Sequence, residues 1–463
     1  MHLSDRNKLS RKQFADMWMK RSEMLEDEIL QAQDEGRELP ENVQAKALAI
    51  RQIEDPQRRE QAALEFSRML WELPYRPDYP YEEPSDYEGI LCERPEESVL
   101  LPQPIAEKRF DQVYGALLGR CAGCLLGSPV EGWPREKILK FMKETKNDPI
   151  RYYFRSDISD ELRAKYDIKD EAYRYGRPVN TWANLVKCMP EDDDTDYTLL
   201  NLLLLEEIGR NFTTEDCAYN WLYHMPMFHT AVSERIVYQN LTIGLPVIGG
   251  HLDPYRETLG PQLRADVFGY VNPGDVETAA NMAWRDGRLT NVKNGIYGSM
   301  FAAAMLAAAA ATNSVTDIVK AGISVIPKKS RLYECVNLVV KWHKDGNALQ
   351  DTTDLIYETF NKTACSKTDY AMCHVNPNCM IVAASLLYGE LDFEKSIGIA
   401  VMSGFDTDCN GATVGSIAGI ALGANALPQK WVLPLNNRVE TCITGYDDQV
   451  KLDEVAQRIL AVY

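Results

Sequence analysis

Two carboxylates stand one residue apart near the end of the chain, in the segment GFDTDCNGATVGSIAGIALG (residues 404–423). Asp406 and Asp408 are followed by a run of mostly Gly, Ala, Ser, Ile and Val. Small side chains let helix backbones approach closely, so this run predicts a tightly packed helix. One carboxylate could cap that helix, which leaves the other unexplained. The segment is therefore compatible with a hard-cation site or with a cap beside a solvated acid.

Three further carboxylates, Asp192, Asp193 and Asp194, precede a leucine-rich predicted helix in PEDDDTDYTLLNLLLLEEIG (190–209). Adjacent carboxylates repel one another, and a helix cap needs only one of them. A divalent cation would relieve the repulsion and the poor solvation beside the leucines. The alternative is an acidic loop that points into water.

A glycine recurs at every fourth position from 115 to 127, in FDQVYGALLGRCAGCLLGSPVEGW (110–133). This spacing places the glycines on one stripe of a helix. Because each glycine costs a helix about 1 kcal/mol relative to alanine, the stripe predicts that another backbone packs against it. Glu131 follows in a loop and is either a third acidic point of the same site or an ordinary surface acid.

The composition narrows the classes of function. The chain has 463 residues, 45% of them hydrophobic, and a net charge of -18, which disfavours nucleic acid and anionic membranes as main partners. Its 11 cysteines are odd in number and scattered, and we interpret the CxxC pair Cys121 and Cys124 as small core residues rather than a redox or zinc motif. The charged N-terminus and apolar runs shorter than roughly 20 residues predict a soluble, cytoplasmic protein.

The chain divides into three predicted parts, and no long segment shows an alternating strand pattern. The pattern of residues 1–75 predicts an extension of amphipathic helices. These helices would pack on the main domain or on a partner subunit, and the second arrangement would form a homo-oligomer. Residues 76–105 form a Pro/Tyr-rich strap, and residues 106–463 the main domain. Within it, the aromatic segment 145–187 is either a pocket wall or lid, or a surface excursion. The predicted fold class is all-α.

The acidic points and the glycine helix together carry a family resemblance. The chain contains G-A-L-L-G-x-x-x-G-x-x-L-G-x-P-V-E, then D-D-T before a helix, then G-x-D-T-D-x-N-G-A-x-x-G-x-I-x-G, in that order. This ordered set resembles the ADP-ribosylglycohydrolase family (DraG-like), in a bacterial-type member with an extra N-terminal helical region. The resemblance covers residues 105–463, and the three motifs together are far more specific than any one of them.

The resemblance implies an all-α domain with Mg²⁺ at the base of a cleft. Family members cleave N- or O-glycosidic bonds to the ribose of ADP-ribosylated protein side chains or of related ribosides. The implied catalytic residues are Glu131, Asp193 and Asp408. The implied metal ligands are Asp192, Asp193, Asp194, Asp406, Asp408 and Cys409. One or two Mg²⁺ ions are expected, with Mn²⁺ or Ca²⁺ as alternatives, and the implied substrate is a small riboside or an ADP-ribosylated protein.

Three positions depart from the family pattern. Asp192 stands where Thr or Ser is usual, Cys124 where Asp is usual, and Cys409 where Thr is usual. A thiol is a poor ligand for a hard cation, so the sequence leaves the number of ions open.

Two other functions stay open. One is a hydrolase, or glycosidase, of a different small glycoside or nucleoside that uses the same metal cage, since the sequence shows no basic cluster for a pyrophosphate. The other is a non-catalytic protein that binds ADP-ribose or a nucleoside. The retained acidic positions argue against the second alternative, because clustered charge is costly to keep.

Overall fold

The computed structural model describes residues 10–96, 99–174, 177–246, 248 and 250–463. This part of the chain is mostly helical, which confirms the all-α prediction. The exceptions are two antiparallel hairpins, in which β1 (Ala172–Arg174) pairs with β2 (Arg177–Val179) and β3 (Arg438–Glu440) pairs with β4 (Gln449–Lys451). Strands of three residues are too short for an alternating pattern to mark them in the sequence.

The α-helices are numbered in chain order, and short 3-10 turns connect several of them. Their bounds are α1 Arg11–Asp16, α2 Leu25–Asp34, α3 Val43–Arg51, α4 Pro56–Glu72, α5 Tyr87–Glu93, α6 Arg109–Gly127, α7 Arg135–Glu144, α8 Asp160–Tyr166, α9 Asp193–Glu207, α10 Thr214–His224, α11 Val232–Thr242, α12 Gly260–Arg264, α13 Asp266–Tyr270, α14 Val276–Gly287, α15 Lys293–Ala309, α16 Val315–Ser324, α17 Arg331–Lys344, α18 Leu349–Phe360, α19 Val375–Gly389, α20 Phe393–Met402, α21 Thr407–Leu422, α22 Gln429–Val432 and α23 Leu452–Ala461.

The glycine stripe of α6 packs against the small-residue helix α21 along its whole length. A Cβ added to Gly119 or Gly123 would overlap the carbonyl oxygen of Gly415 or Gly411, respectively. The prediction that a backbone lies against this stripe is therefore confirmed. The partner, α21, carries the motif of Asp406 and Asp408. Backbone contact therefore brings the glycine motif and this acidic motif together.

Among the described residues, one helical stretch, Ala106–Val130, is long and apolar enough to cross a membrane by length and composition. Most of its apolar window, 94%, is buried inside the protein. Buried core helices pass the same test, and α6 is buried, with α21 packed along its glycine stripe.

The N-terminal extension has a small core of its own and packs on the main domain. Its own core consists of Leu25, Ile29, Ala32, Val43, Ala47, Ala63, Phe66 and Leu70. The guanidinium of Arg256 pairs with Glu28 at 2.7 Å and with Glu35 at 2.6 Å, and all three side chains are buried. This buried pairing fixes α2 on the domain, whereas the boundaries near residues 75 and 105 stay predictions.

The aromatic segment 145–187 packs largely onto the core. The rings of Tyr153 and Trp431 pack edge to face with 4.8 Å between their centroids, and the rings of Tyr166 and Phe141 do so at 4.9 Å. The side chains of residues 172–178 lie outside the described part of the chain.

Candidate metal centre and active-site cleft

Asp406 and Asp408 lie at the start of α21, in a turn that one asparagine holds in place. Asp406 occupies the N-cap position and Asp408 lies in the first turn of the helix. The backbone N–H of Asp406 donates to Asn378 Oδ1 at 3.2 Å, and Asn410 Nδ2 donates to the same oxygen at 2.7 Å. Asn378 therefore fixes the direction in which the two carboxylates leave the helix.

The Asp192–Asp194 motif lies at the start of α9 and has a built-in counter-ion. Asp192 is the N-cap and accepts from the backbone N–H of Asp194 at 3.1 Å. Arg120, from the middle of α6, pairs with Asp194 at 3.1 Å and with Asp266 at 2.8 Å. Each of these three paired side chains is at most 1% exposed. One of the predicted ligands is thus already neutralised by a permanent cation.

Glu131 follows α6 and is buried, so the alternative of a surface acid is wrong. Carboxylate oxygens of Glu131, Asp406 and Asp408 all lie within 4.8 Å of one another. Three carboxylates at this separation form a site built only of oxygen, the donor type that Mg²⁺ prefers.

The other predicted ligands extend this site into a continuous row. Asp194, Asp408 and Cys409 form a second cluster within 4.8 Å, and Cys124, Asp192 and Asp194 form a third. Cys124 Sγ donates to Asp194 Oδ2 at 3.9 Å. The interpretation of the CxxC pair as core residues is incomplete, because Cys124 also touches the acidic row.

A cavity of about 30 Å³ opens onto this row. Its lining includes the predicted site residues Glu131, Asp193, Asp406 and Cys409, of which Asp193 is partly exposed. The remaining lining residues are Ala231, Val232, Glu234, Thr258, Leu259, Gly260, Leu263 and Cys373. No described residue of the aromatic segment 145–187 is among these lining residues, so the described part of that segment is not the wall of this cavity.

Burial makes the charged forms of these acids costly. It raises the pKa of Asp406 well above its ordinary value, and the neighbouring carboxylates of Asp408 and Glu131 raise it further. Burial likewise raises the pKa of Asp194, against the opposing effect of Arg120. A bound divalent cation would reverse both effects by supplying the missing positive charge.

Asp406 provides a direct test of whether a cation fits. Its Oδ2 accepts from Cys373 Sγ at 3.3 Å. Its Oδ1 is buried and has no hydrogen-bond partner among the described residues. An orphaned buried oxygen inside an all-oxygen cluster fits a hard cation. The cluster with Cys409 fits one less well, because it contains a thiol and a carboxylate that Arg120 already neutralises.

Sequence reasoning missed four residues of this site: Arg120, Glu234, Cys373 and Asn378. The sequence did contain a signal for Arg120, since it is a charged residue between two glycines of a buried stripe. No sequence pattern marked Glu234 as a site residue. Burial raises its pKa to about 7, although Arg264 lies 2.6 Å away and opposes the shift.

The chain matches the family model described as ADP-ribosylglycohydrolase over residues 106–463. It belongs to the ADP-ribosylglycohydrolase family. This membership confirms the recognised family and its all-α fold, and supports a hydrolase function of the glycosyl type. A solved structure named "ADP-ribosylglycohydrolase-related protein complex" is similar, with 18% identity, a TM-score of 0.43, and coverage of 77% of this chain and 98% of that one. A comparison with curated proteins found no match.

Proposed function

We propose that this ADP-ribosylglycohydrolase family member is a Mg²⁺-dependent hydrolase that cleaves an N- or O-glycosidic bond to ribose. The reaction would be removal of ADP-ribose from a protein side chain or hydrolysis of a related riboside. The observation that carries the proposal is the buried, all-oxygen cluster of Glu131, Asp406 and Asp408, with one Asp406 oxygen unpartnered among the described residues. Family membership supports the class of bond.

Asp406, Asp408 and Glu131 would hold one ion, and Asp193 lines the same cavity from α9. When bound, the ion would polarise a water molecule and lower its pKa. A second ion would depend on Asp194 and Cys409, and we expect it to bind more weakly for the reasons given above. Mn²⁺ or Ca²⁺ would suit the same oxygen ligands.

Carboxylates of the chain would transfer the protons and stabilise the charge that develops on the sugar. Glu131 is buried and lines the cavity, and it would take a proton from the attacking water or give one to the leaving group. Breaking a bond to ribose creates positive charge on the sugar ring, and the Asp408 and Asp193 carboxylates would stabilise that charge. The cavity volume is about 30 Å³, and a cavity needs roughly 10–15 Å³ to hold one water molecule, so there is room for the attacking water beside these carboxylates.

The test is hydrolysis of ADP-ribosyl-arginine and of simple N-ribosides with Mg²⁺. Asp406→Asn and Glu131→Gln keep the shape of the side chain, and each should lower kcat by about 10²-fold or more. Asp345→Asn, at an exposed acid that pairs with Lys341, is the matched control and should retain full activity. Full activity in Asp406→Asn would contradict the proposal.

A hydrolase of a smaller glycoside or nucleoside is the second candidate, and one packing contact favours it. Ala231 and Val232, which line the cavity, pack against Phe14 and Trp18 of the N-terminal extension. The extension therefore supports part of the cavity wall, and this would restrict the space for a ligand larger than a small glycoside. Comparing kcat/KM for nucleosides with kcat/KM for ADP-ribosyl-arginine separates the two candidates. A non-catalytic binding role would show as tight ligand binding without turnover of any of these compounds.

The partner and compartment remain predictions. We propose a small riboside or an ADP-ribosylated protein as the binding partner and the cytoplasm as the compartment. A homo-oligomer through residues 1–75 also stays a prediction, and sedimentation of the full chain against a chain lacking those residues would test it.

A further inference from the structure

A second group of metal-ligating side chains lies where the N-terminal extension meets the main domain. A carboxylate oxygen of Asp34, the Sγ of Cys365 and a ring nitrogen of His374 all lie within 4.8 Å of one another. We propose that these residues bind a structural zinc ion that joins helix α2 to the main domain. The proposal does not depend on the catalytic function.

His374 supplies the observation that points to a ligand. Its side chain is 5% exposed, and its Nε2 is buried without a hydrogen-bond partner among the described residues. Its Nδ1 accepts from the backbone N–H of Asn376 at 3.2 Å. Burial lowers the pKa of His374 to about 4, so the imidazole is neutral at neutral pH, as metal binding requires. Binding at Nε2 would move the proton to Nδ1 and give up the long bond from Asn376.

Cys365 and Gln31 already have the spacing of two zinc ligands. The buried Cys365 Sγ donates to Gln31 Oε1 at 3.5 Å. A tetrahedron with the usual Zn–S and Zn–O lengths has an S···O edge of about 3.5 Å. Gln31 Nε2 donates to Glu35 at 3.0 Å and to Glu257 at 2.7 Å, so its oxygen is held towards Cys365.

Asp34 completes a set of four donors. It lies three residues after Gln31 on α2, which places both on one face of the helix. Its two carboxylate oxygens accept from the backbone N–H groups of Ala364 and Cys365, at 2.6 and 2.7 Å. Each oxygen keeps a further lone pair for a metal. One carboxylate and one thiolate balance the charge of Zn²⁺, so the buried complex would be neutral.

Such a site would connect the extension to the cleft. Two of its donors come from α2, and the other two flank the segment from Cys365 to His374. The residue before His374 is Cys373, whose thiol contacts Asp406. Four protein ligands leave no open position, which is typical of structural zinc sites rather than catalytic ones.

The experiment measures zinc in the full-length chain purified from zinc-supplemented cells and washed with excess Mg²⁺. We expect about one tightly held zinc ion per chain in the wild type. Cys365→Ser should lose it, as should His374→Asn, in which asparagine can still cap α19. Cys379→Ser is the matched control and should keep it, because Cys379 is a buried thiol that likewise donates to a glutamine oxygen, of Gln262. Equal zinc in the wild type and Cys365→Ser, or no zinc in the wild type, would overturn the proposal.

A measurement on the wild type alone guards against variants that do not fold. Zinc X-ray absorption should show one sulfur ligand together with the outer-shell scattering of an imidazole. The acidic row in the cleft has Cys409 but none of its named residues is a histidine, so zinc bound there would give sulfur without imidazole. The cluster of Glu191, His229 and Cys442 could give both signals, so the spectrum is also recorded for Cys442→Ser, which should leave it unchanged. A spectrum without the imidazole signal would contradict the assignment.

Discussion

Gly123 of α6 and Gly411 of α21 pack so closely that a Cβ on Gly123 would overlap the carbonyl oxygen of Gly411. The same two helices carry the acidic cluster, since Glu131 follows the end of α6 and Asp406 occupies the N-cap position of α21. The distance between the two backbones therefore sets the distance between Glu131 and Asp406. The packing of small residues and the geometry of the candidate metal centre are one structural feature.

Gly123→Ala should disturb both stability and metal binding. The added methyl meets backbone, which cannot rotate away, so we expect the free energy of unfolding to fall by about 1–3 kcal/mol or more. Mg²⁺ affinity should fall as well. Urea denaturation and calorimetric titration measure the two effects.

Gly398→Ala, in α20, is the matched control. Its Cβ would lie 3.5 Å from Ile150 Cβ, an ordinary contact, and alanine favours a helix by about 1 kcal/mol. Equal stability of the two variants would contradict the role given to the glycine contact.

Arg120→Met should destabilise the protein strongly. It would leave the Asp194 and Asp266 carboxylates buried without their shared cation, and breaking a buried pair costs about 3–5 kcal/mol. Arg155→Met breaks an exposed pair with Asp157 and should cost under about 1 kcal/mol. Thermal unfolding of both variants checks this, and a loss in Arg120→Met as small as that in Arg155→Met would show that Asp194 is neutralised in another way.

Cys409→Thr should change the number of Mg²⁺ ions bound. Threonine replaces a soft thiol with a hydroxyl oxygen beside Asp194 and Asp408, and hard cations prefer oxygen. We expect a second Mg²⁺ to bind, or to bind more tightly, in calorimetric titration. Cys379→Ser, a buried thiol in α19, should leave the stoichiometry unchanged. If Cys409→Thr also leaves it unchanged, the thiol is not what limits the second site.

The buried pair of Glu83 and Arg331, which joins the strap to the main domain at 2.8 Å, should make stability depend on pH. Burial is the largest single effect and raises the pKa of Glu83, but the charge and hydrogen bonds of Arg331, together with the charge of Lys293, outweigh it and lower the pKa to about 2. The ordinary value is 4.5, so the folded protein binds this proton less readily than the unfolded chain. The stabilisation is therefore complete above about pH 4.5 and is lost as the pH falls towards 2.

Melting temperatures of the wild type and Glu83→Gln between about pH 2 and 6 test this dependence. The variant should be less stable than the wild type near pH 6, and the gap should narrow on acidification. A gap that stays constant over this range would mean that Glu83 does not titrate with the expected shift.

The sequence by itself determined the helical class, the contact across the glycine stripe and the order of the acidic motifs. These features are local or periodic: a glycine at every fourth position requires a close backbone wherever the partner lies in the chain. The three ordered motifs also sufficed to recognise the family over the main domain.

Only the tertiary structure decided which groups meet. Glu131 could be a surface acid until the fold buried it beside Asp406, and nothing near Asp194 in sequence shows that Arg120 neutralises it. The grouping of Asp34 with Cys365 and His374 joins residues more than 300 positions apart. Local patterns carry no information on such contacts, because they depend on how α2, α6, α9 and α21 pack against one another and on which charges that packing removes from water.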